Sequence, residues 1–253
     1  MQCSLRLPHL LPLGAIVAAA CLLALSGCGG TSGPAGQDVA LVLEGAPTAA
    51  DAGIALAVDR DYASGNGLVL TVRSAGPTGP SSALRQVIDG RAGFAVLDVA
   101  QLATPAARRR DLVAVAAVVQ LPYARPVPPR PAARAFAAPA RGLLYPQLVV
   151  VAPRDALQDA QPVAEALVET LRRGYEETIA DPASAVAAMV RQNPALRTPE
   201  LTAQLAAVSP AFTTGVDAWG DFSRADVTAW ARAQRPPLDP TLAFWFGGGT
   251  SID

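Results

Sequence analysis

Short, largely apolar runs alternate along the chain with segments whose apolar residues recur every three or four positions. Val39–Glu44 (VALVLE), Leu68–Val72, Gly93–Val99 and Leu112–Gln120 have the length and composition of strands. The last lacks polar alternation, as a strand covered on both faces requires. Between the first two, Thr48–Ala63 sets Ala52, Ala55, Leu56 and Asp59 at helical spacing, and the Gly-rich Gly65–Gly67 ends the run. Between the second and third, Ala83, Leu84, Val87 and Ile88 share one helical face, which Gly90 terminates. Strand and helix in strict turn predict an α/β domain with a parallel sheet.

A fifth strand is expected over Leu143–Ala152, and the remainder reads as helical. Ala164, Leu167, Val168, Leu171, Tyr175 and Ile179 line one side of a long helix. Glu165, Glu169, Arg172, Arg173 and Glu176 line the other, with Glu169 and Arg173 spaced to pair. Asp181–Pro182 and Thr198–Pro199 both read as an N-cap followed by the first helical residue. Shorter helices are expected over Glu200–Val208 and Arg224–Arg235. The triplet Arg108–Arg110 follows Pro105 and is expected in a solvent-facing loop.

One segment breaks the pattern. PYARPVPPRPAARAFAAPAR, residues 122–141, holds six prolines and four arginines. Proline fixes φ and donates no backbone hydrogen bond, so Pro126, Pro128, Pro129 and Pro131 exclude a regular helix or a central strand. The segment is a connection, expected to be partly extended.

The N-terminus sets the compartment. Arg6 and His9 precede an apolar run from Leu10 to Leu25, short for a membrane span and ending in LSGCGG. This resembles a bacterial lipoprotein signal, with Leu25, Ser26 and Gly27 before an acylated Cys28. An ordinary secretory peptide or an uncleaved anchor is the other reading, and in each case the rest of the chain works outside the cytoplasm. Cleavage before Cys28 would remove His9, Cys3 and Cys21, and the chain has no lysine, all 20 basic residues being arginine. Disulfides, Cys/His zinc sites, Ser-His-Asp and Cys-His catalysis, Ser-Lys pairs and a lysine-bearing P-loop are thereby excluded. No cofactor and no metal are expected. The acidic neighbours Asp59 with Asp61, and Glu176 with Glu177, read as solvated helix faces rather than a catalytic acid pair. With 51% hydrophobic and 16% charged residues over the chain, a core can be filled. The mature balance, 19 arginines against 21 acids, is near −2 and recruits no nucleic acid.

A family resemblance rests on five stretches taken in order: LEGAPTAADAGIALAVDRDYASGNGLVLTV, SSALRQVIDGRAGFAVLDVAQL, YPQLVVVAPRDAL, LRRGYEETIADPASAVAAMV and AWGDFSRADVTAWAR. Across residues 38–235 these resemble the periplasmic solute-binding proteins of the thiamine-pyrimidine, nitrate, sulfonate and taurine importers. The resemblance implies an α/β fold of the periplasmic binding protein type 2 kind, in which two lobes close on a small solute. It also implies an ABC permease as partner, tethering to the membrane through lipid on Cys28, and no enzymatic activity. In that family the second lobe is built between the strands equivalent to Leu112–Gln120 and Leu143–Ala152. Here only 22 residues, 121–142, lie between them, whereas one βαβ unit needs about 30. The implied organisation is a signal peptide (1–27), a tether (28–37), the first lobe (38–121) and a Pro/Arg-rich bridge replacing most of lobe two (122–142). A returning strand with C-terminal helices (143–235) and a tail (236–253) complete it. The exposed face of a lone lobe is expected to be apolar and to favour self-association.

Solutes in open α/β sheets bind beyond the carboxyl ends of the strands. Three loops qualify: one with Glu44, Thr48 and Asp51, one with Ser81 and Ser82 at a helix start, and one with Asp98 and Gln101. Thr48, Ser81 and Asp98 could equally serve as helix N-caps. The first loop reads EGAPTAADAG where thiamine-pyrimidine relatives resemble DWTPNTNHAG, so Gly45 and Asp51 stand in place of the family's tryptophan and histidine. Acidic Glu44 and Asp51 suit a cationic or amine-bearing solute better than a sulfonate or nitrate. Two functions are open: a lipid-anchored solute receptor, or a truncated lipoprotein scaffold that binds nothing.

Overall fold

The computed structural model describes residues 36–76, 82–122 and 144–246. Cys28 with the signal and most of the tether, Ser81, nearly all of the Pro/Arg-rich bridge and the tail beyond Phe246 lie outside the described residues. The chain opens with β1 (Gln37–Leu43), a 3-10 turn at Ala49–Asp51, α1 (Ala52–Asp59) and α2 (Tyr62–Gly65). It continues through β2 (Leu68–Ser74), α3 (Ala83–Ile88), β3 (Phe94–Asp98), a 3-10 turn at Val99–Ala103, α4 (Pro105–Arg109) and β4 (Leu112–Val119). After the bridge come β5 (Leu148–Pro153), α5 (Arg154–Asp159), α6 (Gln161–Ala180), α7 (Pro182–Gln192) and α8 (Thr198–Val208). A 3-10 turn at Ser209–Phe212, α9 (Arg224–Ala233) and α10 (Pro240–Ala243) close the sequence of elements.

The strands form a five-stranded sheet of order β2-β1-β3-β5-β4. β1 runs parallel to β2 and β3, with Leu41 opposite Val72 on one side and Phe94 on the other. The sheet is not wholly parallel as expected: β5 is antiparallel to both neighbours, with Val150 opposite Val96 of β3 and Ala116 of β4. The chain leaves β4 and re-enters β5 at one end of the sheet, so no crossover turns the fifth strand round. That is why the βαβ pattern stops at this point.

Both sheet faces are buried, and the strand residues divide between them with period two. Leu41 and Leu43 of β1, Val96 of β3, Val115 of β4 and Val150 of β5 face a layer supplied by α1, α6, α7 and α8. Val42, Ala95, Leu97, Ala114, Val149 and Val151 face α3, α4, α9 and Phe244. β4 and β5 are buried at every position, which explains their unbroken apolar runs.

α6 organises the first layer. Tyr175 is fully buried, stacks on Trp219 with centroids 4.2 Å apart, meets Phe212 edge-on at 4.9 Å and donates its hydroxyl to the Ala50 carbonyl at 2.7 Å. Its ring lies on Gly53, where an added Cβ would fall 2.3 Å away. Ile179, expected on this face, is instead 42% exposed. Arg173 lies over the Tyr62 ring at 4.0 Å, so Glu169 faces Arg172 at 3.9 Å instead. The expected single helix from Thr48 to Ala63 is divided by Asp61, whose φ of +51° breaks the α-helical run between α1 and α2. Pro105 opens α4 rather than ending a helix: Thr104 caps it, accepting from the Ala107 amide at 3.3 Å. Arg108 accordingly bonds the Ala103 and Pro236 carbonyls, and Arg110 pairs with Asp155, in place of a free basic loop. Asp181 caps α7 as expected, whereas Arg197 precedes α8 and Thr198 is already helical.

The edge of β4 is closed by three later segments. Trp245 N–H donates to the Ala114 carbonyl at 2.8 Å, Ala117 N–H to the Gly220 carbonyl at 3.0 Å and Gln120 N–H to the Ala211 carbonyl at 2.7 Å. Phe244 is buried against Phe222 and Trp230, so this part of the tail belongs to the core. Among the described residues the exposed large apolar side chains are Val69, Leu144, Ile179 and Leu242, each in a different part of the chain. They do not form the broad apolar face expected of a lone lobe.

Candidate functional site

The carboxyl ends of β1, β3 and β4 and the amino end of β5 converge on one rim of the sheet, because β5 runs against its neighbours. Glu44 follows β1, Asp98 ends β3, Gln101 lies in the next 3-10 turn and Gln147 precedes β5. These four are half-buried and hydrogen-bonded together. The Glu44 carboxylate accepts from the Asp98 backbone N–H at 3.2 Å and from the Gln101 side-chain amide. Asp98 accepts from the Ala100 backbone N–H at 2.8 Å and from the Gln147 side-chain amide. The backbone of Gln147 ties the rim together, its carbonyl accepting from Val99 at 2.9 Å and its N–H donating to Val119 at 2.8 Å.

Tyr145 stands beside this network, half-buried, with its ring 6.5 Å from that of Trp230. Burial first, and then the negative charge of Asp98, push its phenol above the ordinary tyrosine value. Protonated at neutral pH, as any tyrosine is, the hydroxyl can donate and accept. The rim offers two carboxylates, two amides and a phenol, which suits a small solute rich in hydrogen-bond donors.

Sequence reasoning placed Glu44, Asp98 and Gln101 here, and the fold brings those three together. It missed Gln147 and Tyr145, because the direction of β5 decides which of its ends reaches the rim and no local periodicity reports that direction. Thr48 and Asp51 make a capping box: Asp51 accepts from the Thr48 N–H at 2.7 Å and from its hydroxyl at 3.0 Å, and Asp51 is 1% exposed. Ser82 caps α3, accepting from the Arg85 N–H at 3.3 Å. Gly45 has φ of +88°, a conformation that a tryptophan at this position would strain to adopt. A cavity of about 360 Å3 opens beside the ends of β1 and β2, between Pro47, Asp51 and Ser74 and the end of α7 at Gln192 and Asn193. Among the described residues no group of three or more His, Cys, Asp or Glu side chains could hold a metal ion, and no helix is long and apolar enough to cross a membrane.

No protein-family model matches the sequence, and no curated protein sequence matches it. Solved structures do. A Bordetella bronchiseptica protein superposes with a TM-score of 0.56 at 13% identity, over 83% of this chain and 94% of its own. The alkanesulfonate-binding protein SsuA of Xanthomonas axonopodis pv. citri, bound to MOPS, gives 0.53 at 13% identity, over 83% and 98%. The ligand-binding component of an ABC-type import system from Staphylococcus aureus, with zinc bound, gives 0.53 at 13% identity, over 81% and 97%. With a mixed five-stranded sheet covered on both faces, the chain has the periplasmic-binding-protein fold.

Proposed function

We propose that this chain is an extracytoplasmic solute-binding protein, anchored by lipid on Cys28, that receives a small polar solute at the sheet rim and passes it to an ABC permease. The observation that carries the reading is the network of Glu44, Asp98, Gln101 and Gln147, gathered at the strand ends where open α/β sheets bind ligands. Glu44, Asp98 and Gln101 contact the solute together with Gln147 and Tyr145. Thr48, Asp51 and Ser82 shape the loops around them. The rim is acidic at Glu44 and Asp98, which favours an amine-bearing solute over the sulfonate of the Xanthomonas neighbour. No catalytic role is proposed for any residue.

The second lobe, in this reading, has been reduced to the bridge over residues 122–142. What supports this reading is length: only 22 residues, 121–142, lie between Gln120 and Leu143, against about 30 for a single βαβ unit. One lobe supplies half of a desolvated cavity, so affinity is modest unless a permease or a second molecule covers the rim. Ligand-dependent melting across amines, pyrimidines, sulfonates and nitrate tests the proposal. A true solute at 100 times its Kd adds about 2.7 kcal/mol of stability. The short bridge also favours a second reading, a scaffold that has lost binding, and flat melting curves across the whole panel would count against the first.

A further inference from the structure

A second concavity lies away from the rim, on the flank of the edge strand β4. Its volume is about 490 Å3, within the range of small-molecule sites. Val115 and Val168 form its apolar base, and Gly220, at φ +92°, adds no side chain to it. Trp245 and Phe246 supply an aromatic wall, held by the hydrogen bond from Trp245 N–H to Ala114.

The charges around it are sorted. Glu165 and Glu169, one helical turn apart on α6, make an acidic rim. Arg172 is neutralised within the wall, 3.3 Å from Asp221 and 3.9 Å from Glu169. Arg224 stands over the Phe246 ring at 4.6 Å, exposed, and no ion pair to it is found among the described residues. The cleft thus offers carboxylates, an aromatic surface and a guanidinium not spent on a carboxylate.

We propose that this cleft is a second ligand site, independent of the rim, for a small aromatic zwitterion: an amine toward Glu165 and Glu169, a ring against Trp245, and a carboxylate toward Arg224. A guanidinium presents paired donors matched to a carboxylate, and an ammonium near aromatic faces gains cation–π attraction. Neither charge alone satisfies the cleft, because a lone anion meets the acidic rim and a lone cation meets Arg224. Occupancy would also fasten residues 244–246 onto the edge of β4.

Calorimetric titration of the full chain with L-phenylalanine, phenethylamine, hydrocinnamate and glycine tests this. Phenylalanine binds at least about tenfold more tightly than each of the other three, a difference of about 1.4 kcal/mol. Arg224→Gln lowers phenylalanine to the phenethylamine level, and Glu165→Gln with Glu169→Gln lowers it to the hydrocinnamate level. Glu44→Gln with Asp98→Asn leaves it unchanged, which separates this site from the rim. Absence of phenylalanine binding, a ranking in which the partial compounds bind as well, or a loss caused by the rim variants and not by Arg224→Gln would each overturn the assignment.

Discussion

Replacing Gly174 by alanine sets two opposite effects against each other. Gly174 lies in the middle of α6, where alanine is favoured over glycine by about 1 kcal/mol. Yet a Cβ at this position would lie 2.2 Å from the Gly53 carbonyl oxygen and 2.8 Å from the Ala57 Cβ, both on α1. The oxygen is backbone and cannot rotate away, so α1 and α6 must separate. Overpacking of this kind costs about 1–3 kcal/mol, and a clash with backbone belongs at the upper end. The structure therefore predicts a net loss of about 2 kcal/mol, or about 4–8 °C in Tm for a domain of this size. Gly65 is the control: nothing lies within 4 Å of its Cβ, so Gly65→Ala is neutral or mildly stabilising. Thermal and urea unfolding followed by circular dichroism measure both variants. A Gly174→Ala protein as stable as the parent would refute the close packing of α1 on α6.

Other outcomes follow from the same geometry. Tyr175→Phe removes the buried hydroxyl donating to Ala50 and should cost about 1–2 kcal/mol in urea unfolding; no loss would contradict that hydrogen bond. Asp59 is held below the usual carboxylate range, first by its hydrogen bonds from Arg191 and then by that residue's charge, against an opposing effect of burial. Its contribution is present above the unfolded value and is lost as pH falls through the folded one. The parent should therefore lose more Tm than Asp59→Asn between about pH 5 and pH 2, and parallel curves would count against the pair. Tyr145, raised by burial and by Asp98, should ionise above 10.0 in an ultraviolet titration referenced to Tyr145→Phe, and Asp98→Asn should bring it down. An unshifted titration in the parent would remove Tyr145 from the rim.

The strands were legible wherever burial on both faces left an unbroken apolar run, as in Leu112–Val119, and helices where one face was apolar, as in Gln161–Ala180. What escaped depended on partners distant in sequence. Ile179 has helical spacing yet lies 42% exposed near the end of α6, and Asp61 adopts its positive φ within a segment read as one helix. Of the rim, Glu44, Asp98 and Gln101 could be named because they follow parallel strands, whose carboxyl ends share one side by construction. Gln147 and Tyr145 precede an antiparallel strand and needed the topology first. The acidic cap at Asp51 shows the converse: its residue type was suited to a ligand, but its carboxylate is turned onto Thr48.

The central claim is that one rim of one sheet receives the solute. Isothermal titration of the best ligand from the melting panel, against the parent chain and against Glu44→Gln with Asp98→Asn, tests it most directly. The account predicts an affinity at least about tenfold weaker in the double variant with its unfolding curve preserved. An unchanged Kd in a folded double variant would place the solute elsewhere and contradict it.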